Sequence, residues 1–189
     1  MPVHRDDVVG AFAGLRPLLD TTPEEADAPP RTADISRRHA VLTSSEGVVT
    51  VVGGKLTTYR RMAEDAVDAA VRLRGLPAGP SRTASLPLVG TAPPHVLAGL
   101  PAPRRVVRRH GTEAPAVLAL AERDSRLAEP LLPGHPVTAA EALWAVLHEG
   151  ALDEEDILDR RTRIGLVPSD RAAAQEVVRT LLADAAARG

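Results

Sequence analysis

The chain has 189 residues, 44% of them apolar, which is enough for one sizeable domain or two small ones. Its formal net charge of −2 argues against a general nucleic-acid binder, and the absence of cysteine excludes disulfides and thiolate metal sites while fitting a reducing compartment. No apolar run approaches the roughly 20 residues of a membrane span, and no signal-peptide pattern opens the chain.

Residues 8–19 alternate small and larger apolar side chains and read as a strand running into a turn before Pro17. An acidic, proline-containing loop follows. Residues 39–44 and 47–52 form a predicted hairpin with a short turn at Ser45-Glu46, and Gly53-Gly54 is expected to break its second strand. A helix starting near Thr57 then gathers Tyr59, Met62, Ala63, Ala66, Ala69, Ala70 and Leu73 on one face and stops at Gly75. Residues 76–94, rich in proline and with a short candidate strand at Ser85–Val89, read as a linker between a segment 1–75 and a helical segment 95–189. Candidate helices in the latter are 95–99, 103–110, 112–123, 138–148, 153–162 and 169–187. Thr112, Thr138, Asp153 and Ser169 are candidate N-caps, and Thr138 with Glu141 makes a capping box.

The cations are unevenly chosen: one lysine, Lys55, stands against twenty-two arginines. It follows two glycines at a strand-to-helix junction, where a compact ammonium fits a tight site better than a planar guanidinium. Backbone N–H groups and a helix start also favour negative charge there. The Gly-x-x-x-x-Gly-Lys-[Ser/Thr] spacing of a phosphate-binding P-loop is absent. Taken singly, Arg37 and Arg38 would be a solvated pair, Arg16 a turn-capping residue, and His39 a strand-edge histidine. His148 and Glu149, adjacent on a helix, do not share a face for metal binding. Arg104, Arg105, Arg108 and Arg109 make one basic helix, solvated by default, and Trp144 is expected inside the helical core.

Three motifs occur in order: Gly14-Leu15-Arg16-Pro17-Leu18, Ser36-Arg37-Arg38-His39, and Gly53-Gly54-Lys55-Leu56-Thr57-Thr58-Tyr59-Arg60. Together with Glu141–Glu149 and Glu155–Leu166, they resemble the FAD-dependent, quinone-linked glycerol-3-phosphate dehydrogenases of the D-amino-acid-oxidase-like superfamily. The resemblance runs from about residue 5 to about residue 183. It implies an α+β fold: the C-terminal piece of a D-amino-acid-oxidase-like FAD and substrate domain, strands plus one helix, followed by an all-α C-terminal domain.

The same resemblance implies roles. Gly54, Lys55, Leu56 and Thr57 would face the N1–C2=O edge of FAD, where helix-start dipoles and a cation stabilise the reduced flavin. Arg16 would hold the substrate hydroxyl or developing carbonyl oxygen, Arg37 would grip the phosphate of glycerol 3-phosphate, and Lys55 would stand beside both. Quinone is the implied acceptor. A cytoplasmic location, with peripheral contact at the cytoplasmic membrane through the basic helix, and a homodimer are further expectations. Family members open with a strand–Gly-x-Gly-x-x-Gly–helix unit for the FAD pyrophosphate, a pattern found nowhere in this sequence. The expectation is therefore a fragment equal to the last third of the enzyme and inactive alone; the alternative is a non-catalytic helical interaction module.

Overall fold

The structure is a computed structural model, and it describes residues 2–15 and 38–187. The chain divides into two compact units, one of residues 14–87 and the other of residues 1–13 with 88–189.

In the first unit, β1 (His39–Thr43) and β2 (Val49–Gly53) pair antiparallel, with His39 opposite Gly53 and Thr43 opposite Val49. Ser44 closes the turn, its N–H donating to the Val48 carbonyl at 2.9 Å. The strand ends at Gly53-Gly54 as expected: Gly53 is the last paired residue, and Gly54 follows outside the ladder. After a short 3-10 turn (Leu56–Thr58), α1 runs Tyr59–Arg74. Gly75 ends it at φ 60°, with Leu76 N–H donating to Val71 O, the left-handed stop that glycine allows.

No described residue of this unit is fully buried. The predicted apolar stripe of α1 is half covered at best, and Tyr59, Val67 and Leu73 remain 48%, 60% and 44% exposed. A two-stranded ribbon is too narrow to bury a four-turn helix face. Arg60, assigned to the polar face by periodicity, instead ties residues 83–86 to α1. Its Nε donates to Thr83 Oγ1 at 3.1 Å, and its Nη2 donates to the carbonyls of Thr83 and of Leu86, the latter at 2.7 Å. That segment forms a turn, and the strand expected at Ser85–Val89 is absent.

The second unit holds every buried apolar side chain found among the described residues. Its helices are α2 (Pro94–Ala98), α3 (Arg104–His110), α4 (Ala114–Arg123), α5 (Ala139–His148) and α6 (Pro168–Ala186), with a π-helical turn at Asp156–Arg161. Residues Ala139 to Ala145 of α5 are all buried, so α5 is hydrophobic all round and sits at the centre of the bundle. Val117, Leu131, Ile157, Leu158 and Val178 are at most 1% exposed around it, and Trp144 packs there as expected. The described residues 8–15 form no strand; of them, 8–13 lie in this unit, where the Arg163 guanidinium stands 5.7 Å from the Phe12 ring centre.

Helix starts follow the capping chemistry with two exceptions. Thr138 makes its predicted box, Glu141 Oε2 accepting from Thr138 N–H at 3.0 Å, and Asp153 Oδ1 accepts from Asp156 N–H at 2.8 Å. Thr112 lies inside a 3-10 turn, and Ser169 lies inside α6 because Pro168 already occupies the first turn. A proline there loses nothing, since its missing N–H would have had no helical partner.

The basic helix α3 is not a uniformly solvated face. Arg105 reaches inward to Glu141, donating through Nη1 at 2.9 Å and Nη2 at 2.5 Å. Arg109 donates to the Arg161 carbonyl at 2.6 Å. His110, also buried, lies between two carboxylates, with Nε2 3.5 Å from Glu141 and Nδ1 3.7 Å from Glu149. Burial alone would raise the pKa of Glu141. The facing His110, the Arg105 fork and the Thr138 N–H outweigh it and hold the pKa at about 2, below the ordinary 4.5.

Candidate functional site

The candidate site in the first unit is the junction Gly53–Tyr59. Gly53 and Gly54 both take positive φ, 74° and 85°, a consecutive pair that side chains with a Cβ rarely adopt. The turn is then locked by Thr58. Its N–H and its Oγ1 both donate to the Lys55 carbonyl at 2.9 Å, and Lys55 N–H donates back to Thr58 Oγ1 at 3.3 Å. The N–H groups of Leu56 and Thr57, ahead of the first helical bond, meet no acceptor among the described residues.

Lys55 is exposed, and its ammonium has no hydrogen bond or ion pair among the described residues. The junction therefore presents a free cation and two free N–H donors, the donor set an anionic or electron-rich edge requires.

Gly54 also has a packing role. A Cβ placed on it would fall 2.6 Å from Met62 Sδ and 3.2 Å from His39 Cβ. The missing side chain thus lets β1, the loop and α1 close together. Met62 can swing aside, so the left-handed backbone dominates the cost of substitution. Gly54→Ala is expected to destabilise this unit by about 1–3 kcal/mol. Amide hydrogen exchange in β1 and β2 should accelerate at least about fivefold, and unchanged exchange would show that the loop tolerates a side chain.

His39, read from sequence as a simple strand-edge residue, anchors the loop. It pairs across the sheet with Gly53, and its Nε2 lies 2.7 Å from Asp65 Oδ2 on α1. Arg61 Nη2 stands 3.0 Å from the other carboxylate oxygen. The hydrogen bond from His39, assisted by Arg61, holds the Asp65 carboxyl below the usual range despite opposing burial. Asp65 carries no motif signal; only its place one face-turn from Arg61 hinted at the pair.

Arg16 and Arg37, the other two expected substrate residues, lie outside the described residues. No cluster of three or more metal-ligating side chains occurs among the described residues. His148 stacks on Trp144 with ring centres 3.9 Å apart, and Glu149 faces His110.

A family model for the C-terminal domain of alpha-glycerophosphate oxidase matches residues 81–187, and the chain belongs to that family. Glycerol-3-phosphate dehydrogenase 1 of Mycobacterium tuberculosis is 52% identical over 183 residues, covering 95% of this chain and 35% of the relative. Glycerol-3-phosphate dehydrogenase 2 of the same organism is 38% identical over 177 residues, covering 87% of this chain and 29% of its own. The mitochondrial glycerol-3-phosphate dehydrogenase of Mus musculus is 54% identical over 88 residues, covering 47% of this chain and 11% of its own. The chain thus spans about a third of the length of the mycobacterial relatives it matches. No solved structure matches it.

Proposed function

We propose that this chain supplies the C-terminal part of an FAD-dependent glycerol-3-phosphate dehydrogenase, with residues 14–75 belonging to its D-amino-acid-oxidase-like flavin and substrate domain. The observation that carries the reading is the Gly53–Tyr59 junction, where the Lys55 ammonium and the Leu56 and Thr57 N–H groups have no partner among the described residues. The Leu56 and Thr57 N–H groups and the Lys55 ammonium would hold the flavin edge. FAD would supply the two-electron oxidation of the C2 alcohol of glycerol 3-phosphate to dihydroxyacetone phosphate, the hydride going to the flavin, the hydroxyl proton to water and the electron pair finally to quinone.

The chain's own residues act on charge and position. Leu56 and Thr57 N–H groups donate to the carbonyl edge of the flavin, and Thr58 keeps them aimed by bonding back to Lys55. The Lys55 ammonium would add positive charge beside the flavin edge and the substrate, and Arg16 would hold the substrate oxygen as its C–O bond gains double-bond character. Arg37 grips the phosphate through its two-pronged fork. Contact with the cytoplasmic membrane and a homodimeric state accompany this reading as parts of the same proposal.

A chimera tests it. This chain replaces the matching 35% of the Mycobacterium tuberculosis relative named above. The chimera is expected to bind FAD and oxidise glycerol 3-phosphate with quinone as acceptor. Arg37→Ala in that background should raise KM for glycerol 3-phosphate by at least about tenfold with a smaller change in kcat. A folded, flavin-loaded chimera without turnover would overturn the proposal and leave the helical unit as a non-catalytic module.

A further inference from the structure

The helical unit carries a cleft of about 240 Å³, walled by α6 on one side and by α5 and the 3-10 turn Ser125–Ala128 on the other. Its floor belongs to the core: Leu127, Ala139 and Leu143 are at most 7% exposed, and Leu181 packs against that core. Val177, Leu181 and Ala185 recur at four-residue steps along α6, so they share one face, with Thr180 and Asp184 in the adjoining row. An apolar cavity of about 150 Å³ holds a benzene ring. This cleft has room for a ring with a short alkyl arm and excludes a much larger ligand.

The charges around the cleft are unbalanced. Three carboxylates, Asp124, Glu176 and Asp184, line it with a single guanidinium, Arg126. Asp124 holds that guanidinium, accepting from Nε at 3.0 Å and from Nη2 at 2.7 Å, and Glu176 accepts from Arg179 at 3.2 Å. Asp184 is left with Arg126 Nη2 at 3.8 Å, beyond hydrogen-bonding distance, and has no closer partner among the described residues. Thr180, one turn before Asp184, donates its hydroxyl to the Glu176 carbonyl at 3.0 Å, which leaves its oxygen able to accept. An acceptor-rich rim over an apolar floor is complementary to a cation with an apolar body. An anion of the same shape would meet three carboxylates instead.

We infer that this cleft binds a small organic ammonium ion. The protonated primary amine donates to the Asp184 carboxylate and the Thr180 hydroxyl oxygen, and its ring-sized apolar body rests on Leu127, Leu143 and Leu181. The site lies wholly within the helical unit and does not depend on the flavin reading. Arg126 competes with the ligand for Asp184, so its removal has a signed consequence. Without that guanidinium the rim is more negative and the amine binds more tightly, whereas a merely apolar cleft would be indifferent.

The test titrates the full chain at neutral pH with 2-phenylethylamine, its neutral isostere 2-phenylethanol, the anion phenylacetate and the bare cation methylammonium. Heat is followed by calorimetry and the Leu127, Leu143 and Leu181 amides by NMR. The amine is expected to saturate and to shift those three amides. 2-Phenylethanol should bind at least about threefold more weakly, phenylacetate at least about tenfold, and methylammonium should not saturate. Asp184→Asn should weaken the amine at least about threefold, and Arg126→Gln should tighten it about threefold. Asp170→Asn, which removes the same charge from the first turn of α6, should leave the affinity unchanged. Ala185→Leu, a helix-favouring change at a half-buried position, should fill the cleft and abolish binding. No saturation by the amine, unchanged affinity in Asp184→Asn, weaker binding in Arg126→Gln, or phenylacetate binding as tightly as the amine would each overturn the inference.

Discussion

Replacing Glu141 by alanine is expected to destabilise the helical unit by about 3 kcal/mol. The side chain is only 1% exposed and does two jobs at once. It accepts the Arg105 fork, and it closes the Thr138 capping box at the start of the central helix. Removing it strands the Arg105 charge beside a dry pocket, although Arg105 is 36% exposed and recovers part of its hydration. It also frees an N–H that nothing else reaches. For a unit of about 100 residues, this corresponds to a fall in melting temperature of at least about 12 °C, which differential scanning calorimetry will read. A shift under about 3 °C would show the cluster to be a passive ion pair.

The same carboxylate predicts a pH profile. Its folded pKa is depressed to about 2 from 4.5. Its contribution is therefore complete above the unfolded value and disappears as pH falls from 4.5 toward 2. Wild type and Glu141→Gln should converge in stability across that interval, because the glutamine variant has no such proton to gain.

The second large effect falls on activity rather than folding. Lys55→Arg in the active chimera is expected to lower kcat/KM for glycerol 3-phosphate by roughly a hundredfold, the scale of losing one well-aimed electrostatic contact. The melting temperature should hardly move, because Lys55 is exposed and has no described partner to lose. The charge is conserved, so what changes is shape: a compact ammonium becomes a wide planar fork in a loop fixed by Thr58. Turnover within about threefold of wild type would reduce the lone lysine to an accident of composition.

The sequence revealed local rules more readily than long-range ones. Helix positions in residues 94–187 follow from caps and stops, and the Gly-Gly-Lys junction was visible as a strand-to-helix change. The π-helical turn at Asp156–Arg161 was not, because Thr162 N–H donating to Ile157 O leaves no compositional mark. Glu141 was legible as a partner of Thr138, three residues away. Its pairing with Arg105, thirty-six residues distant, required the bundle to bring α3 against α5. The strand expected over residues 8–19 does not form in the described residues 8–15, because alternation alone does not provide a partner strand. At the site, the close approach of Met62 to Gly54 carries no sequence signal, because Met62 sits on another element. His39 was passed over because Asp65, which holds it, sits on another element.

The hairpin-and-helix unit, with no fully buried residue of its own, has a consequence for how the Lys55 loop would behave. Cooperative resistance to opening comes from apolar area removed from water, and segments with little of it open locally at small free-energy cost. The helical unit, with Ala139–Ala145 of α5 all buried, sets the melting temperature. The loop that presents Lys55 can lose and regain its shape well below that temperature. Heat stability is then a poor guide to the integrity of the candidate site, and anything that covers the exposed face of α1 would tune the lysine's aim without touching it.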